Sequence, residues 1–218
     1  MTGSEISRPE LVVADSWVDA ALEVIREAHP RTIALAGGNT PRPIYERLRE
    51  LDLPWGDIEC FFCDERCVPP ESPALNFGVV PRALLGMRPR PRLHPMPFAT
   101  CDPESYEAQL VEHLGPNPAL DLALLGLGAD GHTASLFPGD PALEERERLV
   151  VKVERPDYTR ITMTLPLLSA STVALLVVTG AEKRDALRKL IEGVDIPASR
   201  VRAARVVVVA DPVAAGMR

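Results

Sequence analysis

The feature that most restricts the fold of this chain is an alternation. Short apolar runs at residues 32–36, 58–63, 121–125, 172–178 and 205–210 take turns with segments of helical periodicity. Each run is rich in aliphatic, β-branched or aromatic residues and reads as a buried strand. Helical spacing marks residues 15–29, 41–50, 74–84, 103–114 and 181–191. In the first of these, Trp17, Ala21, Leu22, Ile25 and Ala28 share a face, Ser16 stands in the cap position and Pro30 closes the segment. Thr40 is the expected cap ahead of Pro41, and Gly193 the expected stop after residue 191. Residues 149–153 and 161–164 read as shorter strands. Residues 86–97, with Pro89, Pro91, Pro95 and Pro97, read as an ordered irregular connection, and Asp211 as the start of a terminal helix. Strand–helix alternation predicts an α/β fold: one domain over residues 1–218, with a mostly parallel sheet and helices on both faces.

Composition narrows the function. At 46% hydrophobic and 25% charged, the 218 residues can fill a proper core. A net charge of −7 disfavours nucleic-acid binding, though a local basic pocket for a small anion remains compatible with it. No apolar run approaches the ~20 residues that cross a bilayer. The first residues lack the basic-then-apolar pattern of a secretion signal. Neither a nucleic-acid nor a membrane partner is expected, and the setting reads as cytoplasmic. The oligomeric state is not set by the sequence; a monomer is compatible with it. Cys60-x2-Cys63-x3-Cys67 resembles half of a zinc site, but no second ligand pair follows. Cys60 and Cys63 belong to an apolar run, so the cysteines read as reduced core thiols and no metal site is expected.

The densest chemistry lies at 126–139, Gly-Leu-Gly-Ala-Asp-Gly-His-Thr-Ala-Ser-Leu-Phe-Pro-Gly. This glycine-rich loop follows the apolar run at 121–125, at the carboxyl end of a strand, where open α/β sheets bind ligands. Its glycines allow tight turns, and His132 beside Asp130 offers a group that moves protons near neutral pH. His29, His94 and His113 sit in unremarkable contexts. No G-x-S-x-G elbow surrounds Ser135, so a serine hydrolase is disfavoured. His132 as a general base acting on water is the stronger reading.

Two turns suit an anion. Gly37-Gly38-Asn39-Thr40 joins a strand to a helix and can present backbone N–H groups, yet it is neither a dinucleotide fingerprint nor a Walker loop. Gly180-Ala181-Glu182-Lys183 repeats the arrangement. A lysine in a first helical turn opposes the helix dipole, which an anionic ligand would offset. Asp64-Glu65-Arg66 places three charges directly after a buried strand at the same sheet edge. Arg66 suits a phosphate or carbonyl oxygen.

These segments, with residues 35–41, 64–70 with Ser72, Asn76 and Phe77, 160–166 and 178–183, occur in an order that resembles the glucosamine-6-phosphate isomerase/6-phosphogluconolactonase superfamily. The resemblance implies a modified Rossmann-like fold, no obligatory cofactor, and hydrolysis of a phosphosugar lactone, 6-phospho-D-glucono-1,5-lactone. It implies His132 as the catalytic base with Asp130 beside it. It further implies a phosphate pocket of Gly37, Gly38, Asn39, Thr40, Arg160 and Lys183, with Asp64 and Arg66 lining the site. Ala36 departs from the serine common in the family and removes one hydroxyl contact. Two other functions compete. Aminosugar-phosphate isomerases of this family have Asp-Glu-Tyr where the chain has Asp64-Glu65-Arg66, and a glutamate where it has Phe137. A non-catalytic phosphosugar sensor would not need His132.

Overall fold

The computed structural model describes residues 8–84 and 87–217. Seven strands form one parallel sheet: β1 (Glu10–Val13), β2 (Thr32–Leu35), β3 (Glu59–Phe62), β5 (Arg92–His94), β6 (Leu122–Gly126), β9 (Val173–Val178) and β10 (Arg205–Ala210), in the order β1-β10-β9-β6-β2-β3-β5. All six residues of β9 are buried. A parallel strand covered on both faces needs an unbroken apolar run, and Val-Ala-Leu-Leu-Val-Val supplies it. The helices flanking the sheet are α1 (Trp17–Ala28), α2 (Arg42–Arg47), α3 (Val79–Ala83), α4 (Pro103–Leu114), α5 (Leu165–Ser169) and α6 (Arg184–Glu192).

A second, antiparallel sheet has the order β4-β8-β7, from β4 (Asp64–Arg66), β7 (Val150–Glu154) and β8 (Thr159–Met163). Cys63 joins the two sheets. Its N–H donates to the Leu35 carbonyl at 2.9 Å, and its own carbonyl accepts from the Met163 N–H at 2.8 Å. Both sheets contribute to one continuous apolar core.

Several expectations need correction. The charged triplet 64–66, which a charge run would make a solvated loop, is a strand, because its backbone pairs with β8 while Asp64 and Glu65 are buried with partners of their own. The proline-rich stretch holds edge strand β5, tolerated because prolines flank the paired residues. Pro41, not Thr40, occupies the cap position of α2, and neither it nor Ser16 of α1 makes a side-chain cap bond. The expected helix at 181–191 opens as a 3-10 turn, Ala181–Lys183, before α6. Asp211 starts turns rather than a helix; its carboxylate accepts the N–H groups of Gly180 and Ala214. Among the cysteines, Cys60 and Cys63 are buried thiols as expected, but Cys67 and Cys101 form a disulfide across a separation of 34 residues. No helix among the described residues is long and apolar enough to cross a membrane.

Candidate active site

Chain order makes a crevice. The chain leaves β2 toward β3 on one side and returns to β6 on the other. The carboxyl ends of β2 and β6 therefore flank a switch point, where such sheets bind ligands. The turn at 36–41 leaves β2, the loop at 126–139 leaves β6, and the segment at 179–183 leaves β9, the next strand beyond β6.

The loop after β6 folds tightly on itself. The Gly128 N–H donates to the His132 carbonyl at 2.8 Å, and Thr133 Oγ1 donates to the Gly126 carbonyl at 2.9 Å. Ala134 is held at φ 47°, a strained conformation for a residue with a side chain. The result is a side-chain pair: Asp130 Oδ1 lies 2.6 Å from His132 Nδ1 and also accepts the His132 N–H at 3.1 Å. Partial burial opposes ionisation of Asp130, but the backbone N–H and ring of His132 outweigh it and hold the carboxyl below its usual range. A Cβ on Gly128 would stand 2.0 Å from His132 Nδ1. Only glycine leaves room there for the pair.

The small sheet faces this loop across a cavity of about 420 Å³, lined by Asp64, Arg66, His132, Phe137, Arg155 and Arg160 among others. Arg66 and Arg160 are direct cross-strand partners in β4 and β8. Asp64 Oδ2 accepts a 2.6 Å hydrogen bond from Ser135 Oγ, tying β4 to the loop after β6. Arg66 donates through Nη1 to the Ala74 carbonyl and to Asn76 Oδ1, at 2.8 and 2.9 Å. Arg160 pairs with Asp157 at 2.6 Å. The Nε atoms of Arg66 and Arg160 are buried without a hydrogen-bond partner among the described residues. Such orphaned donors on cationic groups suit an anionic ligand. The Phe137 ring packs against His132 at 4.7 Å and carries the Arg155 guanidinium at 4.3 Å from its centroid.

Behind the cavity, Glu65 is 1% exposed. Its oxygens accept the N–H groups of Arg66, Asn76 and Phe77 at 2.8, 2.7 and 2.6 Å, so it fixes the segment that positions Arg66. Burial pushes its carboxyl up to about 7 against the pull of those donors.

Of the residues expected at the site, His132, Asp64, Arg66 and Arg160 share the cavity, and Asp130 touches His132. Gly37, Gly38, Asn39, Thr40 and Lys183 leave the same sheet edge but are not among the residues lining the cavity. Gly37 has a steric task instead: a Cβ there would lie 2.0 Å from the Asn76 side chain, which holds Asp64 and Arg66. Arg155, Phe137 and Ser135 were not singled out as site residues. The available signal for Arg155 was the turn Arg155-Pro156-Asp157 between two expected strands, whose loop reaches the cavity.

Residues 10–209 match the family of glucosamine-6-phosphate isomerases/6-phosphogluconolactonase. A 6-phosphogluconolactonase of Synechocystis is 42% identical over 178 residues, covering 77% of this chain and 74% of the relative. The crystal structure of 6-phosphogluconolactonase from Thermotoga maritima superposes with a TM-score of 0.80 at 30% identity, covering 94% of this chain and 99% of that one. The enzyme of the same name from Trypanosoma brucei gives 0.82 at 26% identity, covering 96% and 99%.

Proposed function

This chain belongs to the family of glucosamine-6-phosphate isomerases and 6-phosphogluconolactonases, and we propose that it hydrolyses 6-phospho-D-glucono-1,5-lactone to 6-phospho-D-gluconate, the second step of the oxidative pentose phosphate pathway. The observation that carries the chemistry is the 2.6 Å contact between Asp130 and His132 at the wall of a cavity rich in guanidinium groups. With Nδ1–H donated to Asp130, Nε2 of His132 is left as the acceptor. It takes a proton from water as the water oxygen attacks C1 of the lactone. Asp130 stabilises the imidazolium that forms. The C1–ring oxygen bond then breaks, and the imidazolium returns its proton to that oxygen, leaving the open-chain acid and a neutral histidine. Because a lactone carbonyl is already electrophilic, the scheme needs no covalent nucleophile. Ser135, 1% exposed and bonded to Asp64, is unsuited to be one.

Arg66, Arg155 and Arg160 supply positive charge for the 6-phosphate, and the turn at Gly37–Thr40 with Lys183 borders the same edge. The aminosugar-phosphate isomerase reading is less supported. Phe137, an apolar ring, packs on His132 where that reading wants a carboxylate. A cytoplasmic setting fits the substrate, while the Cys67–Cys101 disulfide is a bond that a reducing compartment disfavours. The deciding assay compares opening of freshly generated 6-phosphogluconolactone with deamination of glucosamine 6-phosphate. Turnover of the aminosugar with no acceleration of lactone opening overturns the proposal.

A further inference from the structure

Glu59, His94 and His113 meet in a part of the fold that the lactone site does not use. Glu59 opens β3, His94 ends the adjacent edge strand β5, and His113 lies in the last turn of α4. Glu59 Oε2 is 3.0 Å from His94 Nε2 and 2.9 Å from His113 Nδ1, and the three atoms lie within 4.8 Å of one another. These approaches are not directed hydrogen bonds. Glu59 Oε2 and His94 Nε2 are both buried and lack a hydrogen-bond partner among the described residues. Buried polar atoms are nearly always satisfied, so an orphaned carboxylate oxygen facing an orphaned imidazole nitrogen wants a shared partner. His94 is only 8% exposed, which makes that deficit costly.

The surroundings hold the three side chains in place. Phe61 stacks on the His94 ring at 4.7 Å and meets the edge of His113 at 6.2 Å. Arg92 Nη1 occupies the other oxygen of Glu59 at 2.8 Å, leaving Oε2 to point at the imidazoles.

We propose that Glu59, His94 and His113 form a binding site for a divalent transition-metal ion of the zinc class, with a fourth, water-filled position. Two imidazoles and one carboxylate are a donor set this ion takes. Tetrahedral bonds of about 2.0–2.1 Å separate ligands by about 3.3 Å, so binding requires the two short contacts to open by a few tenths of an ångström. Glu59 begins β3 and Asp64 follows its far end, about 15 Å along the strand. The ion would pin α4 to the sheet edge and would not take part in hydrolysis.

The test uses metal-depleted full-length protein titrated with Co²⁺ and with Zn²⁺. One equivalent of Co²⁺ should give the visible absorption of a tetrahedral ion, and Zn²⁺ should displace it. Zn²⁺ at a hundredfold excess over its Kd should raise Tm by about 5–10 °C. His113→Ala and, separately, Glu59→Gln should each abolish the band and the Tm shift while lactone hydrolysis stays within about twofold. His132→Ala should keep the band. Absence of the band in the intact protein, its survival in both Glu59→Gln and His113→Ala, or its loss in His132→Ala overturns the proposal. If His113→Ala does not fold, Glu59→Gln decides alone.

Discussion

Nδ1 of His132 lies 2.6 Å from Oδ1 of Asp130, two residues earlier in the same loop. The pair orders the ring within one turn of chain, without help from a distant strand. Replacing His132 by Ala should lower kcat by about 10²–10⁴-fold, the usual range for a positioned acid–base group. Asp130→Asn keeps an acceptor but loses its charge and should cost roughly tenfold in kcat, with KM little changed. The Asp130 carboxyl is held below its ordinary value of 3.8. The stability it contributes is therefore present above that value and lost as pH falls through the lower, folded one. Any acid loss of activity above about pH 4 then does not come from Asp130. A pH–rate profile of Asp130→Asn beside wild type checks this.

Gly128→Ala should remove the pair without touching either member. The added Cβ would stand 2.0 Å from His132 Nδ1 and 2.6 Å from Asp130 Oδ1. A folded variant whose kcat falls about as far as that of His132→Ala is the expected outcome. Near-wild-type turnover would mean that the loop re-forms around the methyl group and that the observed geometry is not required.

The proposed phosphate site would draw on two sets of cations. Arg155→Ala and Arg160→Ala remove charges that line the cavity, and each should raise KM for the phosphorylated lactone by roughly 10–100-fold. Lys183 stands outside the lining. Lys183→Ala with a comparable KM increase would show that the substrate extends to the carboxyl end of β9. Unphosphorylated gluconolactone should be a poor substrate, and the arginine variants should narrow the gap between the two lactones.

Glu65 should give stability a slope with pH. Its folded carboxyl sits at about 7, above the ordinary 4.5. The folded protein therefore holds that proton more tightly than the unfolded chain. The contribution is fully present below 4.5 and declines as pH rises to about 7, by at most about 3 kcal/mol. Urea unfolding at pH 5 and pH 8 measures it. Glu65→Gln should flatten the slope, and it sets an amide N–H₂ against a backbone N–H, a cost of about 1–3 kcal/mol.

What the sequence made legible follows from which signals are local. The apolar run of β9 and the glycine loop at 126–139 carry their own periodicity or turn chemistry, and both lie where expected. β4 does not: Asp64-Glu65-Arg66 has no apolar face, and it becomes a strand only because β8 pairs with it from almost a hundred residues away. β5 hides among prolines. The disulfide of Cys67 with Cys101, the approach of His94 and His113 to Glu59, and the reach of Arg155 into the cavity are all long-range meetings. Spacing along the chain does not show which residues meet. The Asp130–His132 pair was thus readable, because one loop contains it; among the cavity's arginines, Arg66 and Arg160 were named through the family resemblance, while Arg155 was not.

Arg66 and Arg160 face each other across β4 and β8 as direct partners. Like charges so placed repel, and Asp157 compensates only one of them. An anion bound between them would turn that repulsion into attraction, so the small sheet should hold together better when the cavity is filled. Occupancy and durability are then linked: an anion bound in the cavity should slow unfolding, and a protein stripped of anions should open first at this sheet.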